Sequence, residues 1–184
     1  MVGARLVAAW SGDSALTQAL QALPAVLERA AVQGWEQAVD VLQAADSLFV
    51  VSRGAGMAVA QEAALKLKET CSIHAEAFSS AGVQHGPMAL VIPGFALLVI
   101  APRGPAQRGL LALARATRER GARVLLAAPA GTPGAELHLV PAGDEQLDPI
   151  SAVQSFYPLA EAVARARGHD PDQPLHLAKV TRTR

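Results

Sequence analysis

The sequence predicts a three-layer α/β/α fold, in which helices cover both faces of an open parallel sheet after a helical lead. Four apolar runs have the length of strands and lack polar alternation, which is typical of strands buried on both faces. Helical patterns separate most of these runs, and buried strands that alternate with helices favour a parallel sheet. The predicted strands cover residues 47–52, 95–102, 122–128 and 135–140.

Helical spacing defines the other elements. The polar residues 11–14 precede a leucine-rich helix, which Pro24 is expected to kink or split. A glycine turn, "RGAG", closes the first strand and leads into a helix over residues 57–70. Further helices are predicted over residues 35–44, 107–120 and 149–167. We therefore divide the chain into a helical lead, residues 1–32, and one α/β domain, residues 33–184.

Composition limits the classes of function. Hydrophobic residues make up 51% of the 184-residue chain and charged residues 17%, which favours a well-buried globular domain. Because Lys plus Arg equal Asp plus Glu at 16 each, we expect no nucleic-acid partner and no membrane partner. The longest apolar stretch, residues 88–102, is shorter than the roughly 20 residues that a membrane span needs. With no evident targeting signal and a single cysteine, Cys71, we expect a cytoplasmic protein.

The segment from Gln61 to Pro87 concentrates groups that can do acid–base chemistry. Glu62, Lys66 and Glu69 follow one another at i, i+4 and i+7, so they share one face of the predicted helix. An exposed stripe of ion pairs is the structural alternative for this pattern. The rest of the helix is mostly small and apolar, and the helix begins at the carboxyl edge of the sheet. These facts favour a general base held beside a cation.

The turn that follows this helix carries a second candidate. His85 precedes a Gly-Pro pair and lies near the start of a predicted short helix, and histidine is the side chain most used for acid–base work near neutral pH. A capping or structural role is the alternative. His74 and Glu76 do not form a metal-ligand spacing with it, so we expect no metal site.

Open parallel sheets bind ligands outside the carboxyl ends of their strands. This rule points to the turn after the first predicted strand and to the loops after the second and third. Ser52, Arg53 and Gly54 are therefore the predicted substrate-binding residues. The turn does not match a dinucleotide-binding fingerprint, because Val59 stands where the third glycine belongs.

The segment "SRGAGMAVAQEAALKLKETCSIHAEAFSSAGVQHGPMAL", together with "GHDPDQPLHLAKVT" near the end of the chain, resembles the sugar isomerase (SIS) family. The resemblance covers about residues 21–181. It is to the second SIS half of the isomerase domain of glucosamine-6-phosphate synthase and to two-SIS glucosamine-6-phosphate deaminases. It implies the flavodoxin-like, doubly wound SIS fold, and residues 1–32 then look like the end of a first SIS half.

The resemblance also implies roles for the matching residues. Glu69 would carry a proton between sugar C1 and C2, and Glu62 and Lys66 would lie in the same active site. His85 would open the sugar ring across the interface of a homodimer. Lys179, in the tail, would contact the open-chain sugar or form a Schiff base with it. The implied activity is aldose–ketose isomerisation of a sugar phosphate or amino sugar phosphate through an enediol, with or without deamination, and without a cofactor.

The chain departs from the family pattern in three respects. It lacks the Ser/Thr-rich loop by which a first SIS half grips the sugar phosphate. Gly82 stands where the family has an acidic residue, and Leu175 where the tail usually has arginine. The departures leave open a non-catalytic phosphosugar-binding or dimerisation module, and also a partnership with a separate first SIS half. A nucleotide or flavin binder rests on fold analogy alone.

Overall fold

A computed structural model describes residues 2–174, so that Leu175 and Lys179 lie outside the described residues. Five parallel strands form one sheet in the order β2-β1-β3-β4-β5, which is a doubly wound order of the flavodoxin type. The strands are β1 (Ser47–Ser52), β2 (His74–Ser79), β3 (Ala96–Ile100), β4 (Arg123–Pro129) and β5 (Leu137–Leu139). The α-helices are α1 (Val2–Ser11), α2 (Ser14–Ala31), α3 (Val39–Gln43), α4 (Gly56–Cys71), α5 (Gln107–Glu119) and α6 (Asp148–Ala166). This architecture confirms the predicted fold class.

Alternate residues of the central strands enter two separate apolar cores. In β1, Leu48 and Val50 pack with α3, α4 and α6, whereas Phe49 and Val51 pack with α5. The same alternation continues through β3 and β4, because successive side chains of a strand point to opposite faces. The sheet is therefore covered on both sides, and ligands can reach it only at its ends.

The sequence prediction missed one strand, β2. This strand pairs with β1 along its full length, from the Ser47 and His74 pair to the Ser52 and Ser79 pair. It lies at the end of the strand order, so it has one strand neighbour within residues 2–174. Its side chains alternate between exposed and buried at the start, with His74 exposed and Ala75 buried. A short edge strand of small and charged residues lacks the continuous apolar run that identified the other four.

The helical lead is joined to the α/β domain by an apolar cluster. Asp13 caps α2, because its carboxylate accepts a hydrogen bond of 2.9 Å from the Leu16 amide. Of the expected kink or split at Pro24, the split is wrong, since α2 continues through this residue. Buried residues of α2 pack against Ala142 and Leu147, which lie just before α6. The division of the chain after residue 32 stays a prediction. No helix within residues 2–174 is long and apolar enough to cross a membrane.

Candidate functional site

A crevice opens at the carboxyl ends of β1 and β3, where the parallel-sheet rule predicts a ligand site. The cavity measures about 490 Å³ and includes Arg53 and Gly54 from the turn after β1. The loop after β3, residues 102–106, forms another wall, and the segment before α6 contributes Glu145. Gly54 has a positive φ of 61°, which glycine adopts at little cost, so the chain can turn beside the cavity without backbone strain.

An ion pair fixes one wall of this crevice. Arg103 donates through Nε and Nη2 to the two carboxylate oxygens of Asp148, both at 2.8 Å, and through Nη2 to the Ala142 carbonyl at 2.7 Å. Asp148 is buried and also accepts the Ala142 amide at 2.8 Å. The hydrogen bond to Asp148 raises the pKa of Arg103, against the opposing effect of burial. Nε and Nη2 of Arg103 therefore hold the loop, in a planar two-bond geometry that favours arginine over lysine.

Ser52, one of the predicted binding residues, lies beneath the crevice. It is fully buried, and its hydroxyl donates to the Ile100 carbonyl of the neighbouring strand at 2.7 Å. A Cβ atom on Gly56 would lie 2.3 Å from this hydroxyl oxygen, so glycine is needed where α4 begins. The observed contacts of Ser52 are structural. Its role in binding stays a prediction, as do those of Arg53 and Gly54, which line the cavity.

The predicted stripe of charges forms a connected cluster on α4. Lys66 Nζ lies 2.7 Å from Glu69 Oε2 and 3.9 Å from Glu62 Oε1, and each of the three side chains is about one third exposed. The hydrogen bond to Glu69 raises the pKa of Lys66, burial opposes this, and the charges of both glutamates add to it. The cluster therefore presents a carboxylate and an ammonium to solvent in fixed relative positions.

Tyr157 of α6 belongs to the same cluster and was not predicted from the sequence. Its hydroxyl donates to Glu62 Oε1 at 3.1 Å. Burial raises the pKa of this hydroxyl, and the charge and hydrogen bond of Glu62 raise it further, while Lys66 lowers it. Tyr157 is the single tyrosine of the chain, and it lies within a predicted helix. No sequence signal pairs it with Glu62, 95 positions away.

A second cavity, of about 270 Å³, lies beside this cluster. Its walls come from α4, from α6 and from the segment after α6. The lining consists of Lys66, Thr70, Tyr157, Ala160, Glu161, Pro171 and Asp172. The segment after α6 therefore lines the same cavity as Lys66, shortly before residue 174, the last residue that the structure describes.

Cys71 is the last residue of α4 and belongs to the apolar core. Its thiol is buried and contacts the Ala160 carbonyl at 3.3 Å. Burial raises the pKa of the thiol, against the effects of a hydrogen bond with Thr70 and the charge of Arg167. The group is therefore held in its neutral form and packs as a small apolar side chain.

His85 lies apart from both cavities. It is exposed, and its backbone amide donates to the Gly82 carbonyl. Gly86, with φ of 98°, turns the chain immediately after it. Within residues 2–174, no hydrogen bond joins His85 to the cluster on α4. His74 lies 3.6 Å from Glu76, and no group of three His, Cys, Asp or Glu side chains in the described part of the chain could hold a metal ion.

The predicted site residues therefore fall into separate groups. The crevice adjoins the first residue of α4, Gly56, whereas Glu69 lies 13 residues further along, about 20 Å at 1.5 Å per residue. The linings of the two cavities share no residue. The structure brings Glu62, Lys66 and Glu69 together, and it leaves Arg53 with Gly54 at the other end of the helix.

Comparison with known protein families identifies the fold. The SIS domain matches residues 41–137, more than half of the chain. The chain belongs to the SIS domain family. This match confirms the family that the motifs of α4 and the following turn predicted, and the SIS domain is the unit to which β1, α4 and β3 belong.

Relatives of this SIS chain are longer proteins. A glutamine–fructose-6-phosphate aminotransferase (isomerizing) of Aeropyrum pernix is 40% identical over 175 residues, which cover 90% of this chain and 28% of the relative. A candidate phosphosugar isomerase of Silicibacter pomeroyi has a TM-score of 0.82 and 41% identity, over 91% of this chain and 51% of the other.

A third comparison supports the fold alone. The C-terminal domain of glucosamine-fructose-6-phosphate aminotransferase from Francisella tularensis has a TM-score of 0.65 and 24% identity, over 84% of this chain and 43% of the other. The SIS chain spans about three tenths of the length of the curated relatives that it matches.

Proposed function

We propose that this SIS chain supplies the acid–base groups of a sugar-phosphate aldose–ketose isomerase that acts on a phosphorylated sugar or amino sugar. The observation that carries the proposal is the contact between Lys66 and Glu69 at 2.7 Å, because both side chains are partly open to solvent and Lys66 lines a cavity. A base and a cation in adjacent, fixed positions are what proton transfer through an enediol requires.

The cluster supports a division of labour. Glu69 removes the C2 proton of the open-chain aldose to form the enediol and returns it to C1, while the C2 hydroxyl releases a proton and the C1 oxygen gains one, so that the aldose becomes the ketose. Lys66 stabilises the negative charge that develops on the substrate oxygen during this transfer. Glu62 accepts a hydrogen bond from Tyr157 and lies 3.9 Å from Lys66, so it adds a second negative charge beside the lysine.

His85 fits a role at an interface between two copies. It lies outside both cavities of its own protomer, and exposed apolar residues follow it in the chain. Leu90 is 61% exposed and Ile92 is 62% exposed. Association of two copies through this surface would bury apolar area and carry His85 towards a partner's cavity, where it would open the sugar ring.

Lys179 fits a role in closing the second cavity. Asp172 lines this cavity with Lys66, and Lys179 follows seven residues later. Seven residues reach at most about 25 Å, at up to about 3.6 Å per residue. The lysine is therefore within reach of an open-chain sugar held beside Lys66, where it would contact the sugar or form a Schiff base with its carbonyl.

A binding module is the second candidate, and the crevice favours it. This larger cavity contains Arg53 and Gly54 and shares no residue with the cluster, so a phosphosugar could bind there without meeting Glu69. The departures at Gly82 and Leu175 and the lack of a Ser/Thr-rich phosphate loop point the same way. In that case the chain would bind a phosphosugar or hold two copies together without turnover.

The test is an assay of the purified chain with glucosamine-6-phosphate and with fructose-6-phosphate, which follows sugar interconversion and ammonia release. Glu69→Gln keeps the shape of the side chain and removes the base. Glu28→Gln, an exposed position on α2, is the matched control. The proposal predicts turnover that Glu69→Gln abolishes and Glu28→Gln preserves.

Two other results would change the account. Binding of the sugar phosphate by calorimetry without turnover, unchanged in Glu69→Gln, would support the binding module. Turnover that depends on Glu69 only after addition of a separately expressed first SIS half would assign the chain as one half of a two-part enzyme. Ammonia release separates a deaminase from a simple isomerase.

A further inference from the structure

The charged cluster on α4 contains an unexpected choice of partner. Lys66 can pair with Glu62, four residues before it, or with Glu69, three residues after it. A glutamate four residues before a lysine is a favourable orientation in an isolated helix. The structure shows the other pairing, with 2.7 Å to Glu69 and 3.9 Å to Glu62. A contact from outside α4 therefore favours the pairing of Lys66 with Glu69.

The contact that distinguishes the two glutamates comes from α6. The Tyr157 hydroxyl donates to Oε1 of Glu62, the same oxygen that lies 3.9 Å from Lys66. A hydroxyl that donates to this oxygen reduces its demand for a second donor and fixes the rotamer of the glutamate. We infer that Tyr157 is a positioning residue of the site, which holds Glu62 aside so that Lys66 pairs with Glu69.

Packing gives Tyr157 a defined position for this role. Its neighbour Phe156 is fully buried in the core between α6 and the sheet, and the two rings lie 6.5 Å apart. Tyr157 itself is 40% exposed and lines the cavity beside Lys66. The backbone is thus anchored by a core residue, while the next side chain extends along the cavity wall to Glu62.

Two other carboxylates line the cavity beside Tyr157. Glu161, one turn along α6, accepts two hydrogen bonds from Arg165, at 2.9 and 3.0 Å. Asp172 lines the same cavity. Among the described residues, Glu62 is the carboxylate that the Tyr157 hydroxyl contacts. The inference rests on the proposed function for its catalytic consequence, but the contact itself can be tested without turnover.

The first test is a spectrophotometric titration, in which tyrosinate absorbance reports Tyr157 alone because the chain has one tyrosine. We expect the hydroxyl of the wild-type chain to titrate above its ordinary pKa. Glu62→Gln should lower this pKa, because the charge and the hydrogen bond of the carboxylate are lost. Burial should still act to raise it. Glu161→Gln, the neighbouring carboxylate, should leave the titration unchanged. An unchanged titration in Glu62→Gln would overturn the inference, whether or not the chain has activity.

The second test uses turnover. Tyr157→Phe keeps the ring and its packing, and we expect it to lower kcat roughly tenfold with little change in KM, because one hydrogen bond to a charged group is lost. In a Glu62→Gln background the same substitution should have no further effect, since the competing carboxylate is gone. Equal effects of Tyr157→Phe in both backgrounds would show a merely structural tyrosine and overturn the inference. Circular dichroism and thermal unfolding of all four proteins establish that they are folded.

Discussion

The two ends of α4 differ in how their charges are used. At its start, Arg103 lines the crevice, and its Nε and Nη2 donate to the buried Asp148 carboxylate and to the Ala142 carbonyl. Further along the helix, Lys66 and Glu69 are paired but remain about one third exposed. The Asp148 carboxylate is only 5% exposed and its ion pair holds a loop in place, whereas the Glu69 carboxylate is 30% exposed and stays available to a ligand. The difference separates a region built to hold shape from one able to react.

This contrast also explains why the larger cavity is not the better candidate for chemistry. The crevice of about 490 Å³ is lined mostly by glycine, proline and alanine, and its charged side chains are Arg53, Arg103 and Glu145. The smaller cavity, about 270 Å³, contains a phenol, the carboxylates of Glu161 and Asp172, and the Lys66 ammonium that pairs with Glu69. Volume measures room for a ligand, while proton transfer depends on titratable groups within reach of it.

The largest effect is expected at the reactive end. Lys66→Met should lower kcat/KM by roughly 100- to 1000-fold, because a cation that faces developing negative charge is lost. Stability should change little, since the lysine is partly exposed. Lys68→Met, an exposed lysine on the same helix, is the matched control and should behave as wild type. Equal activity of the two variants, measured by steady-state kinetics, would break the contrast between the regions.

The next effect is expected at the crevice. Arg103→Leu should destabilise the protein by about 3 kcal/mol, because within residues 2–174 it leaves the buried Asp148 carboxylate with only the Ala142 amide as a partner. Arg165→Leu, which removes an exposed ion pair with Glu161, is the control and should have no measurable effect. Urea unfolding measures both. If Arg103→Leu were as stable as the control, the crevice wall would not be held in the manner described.

A smaller loss of stability is expected where the crevice meets α4. Gly56→Ala should cost about 2 kcal/mol, because its Cβ would lie 2.3 Å from the Ser52 hydroxyl oxygen and 3.3 Å from Pro102. Gly109→Ala, early in α5, meets no atom within 4 Å and should be neutral or stabilising. Thermal unfolding of the pair distinguishes steric crowding from a general effect of replacing glycine.

The smallest effect is expected at the far end of α4. Ser72 ends this helix in the left-handed region, with φ of 53°, where an L-residue is strained. Ser72→Gly should therefore stabilise the protein by roughly 1 kcal/mol. Because the cluster itself is untouched, activity should be unchanged. A loss of stability in urea unfolding would mean that the serine side chain makes a contact that outweighs the backbone strain.

Much of the fold could be predicted from the sequence, because central strands and long helices carry strong periodic signals. The prediction for β1 matched the structure at both ends, and that for α4 differed by one residue at each end. The edge strand β2 was missed because its pairing with β1 depends on tertiary contact rather than on a continuous apolar run. Helical spacing also predicted the shared face of Glu62, Lys66 and Glu69.

The site was less accessible from the sequence. The bond between Tyr157 and Glu62 joins residues 95 positions apart, and the pair of Arg103 and Asp148 spans 45 positions. Contacts between residues so far apart in the sequence produce no periodic pattern from which they could be predicted. The burial of Ser52 could have been predicted from strand geometry, because every second residue of a strand points to the same face. Ser52 follows Leu48 and Val50 at this spacing in β1, and those two residues face the core that contains α4.

The measurement that tests the central claim most directly is solvent deuterium exchange into glucosamine-6-phosphate, followed by NMR at C1 and C2. It detects proton transfer even when little product accumulates. The account predicts exchange catalysed by the wild-type chain and lost in Glu69→Gln, with Glu28→Gln as active as wild type. Exchange at the same rate in Glu69→Gln, or no exchange above the buffer rate from folded wild-type protein, would contradict the claim that this chain supplies the base.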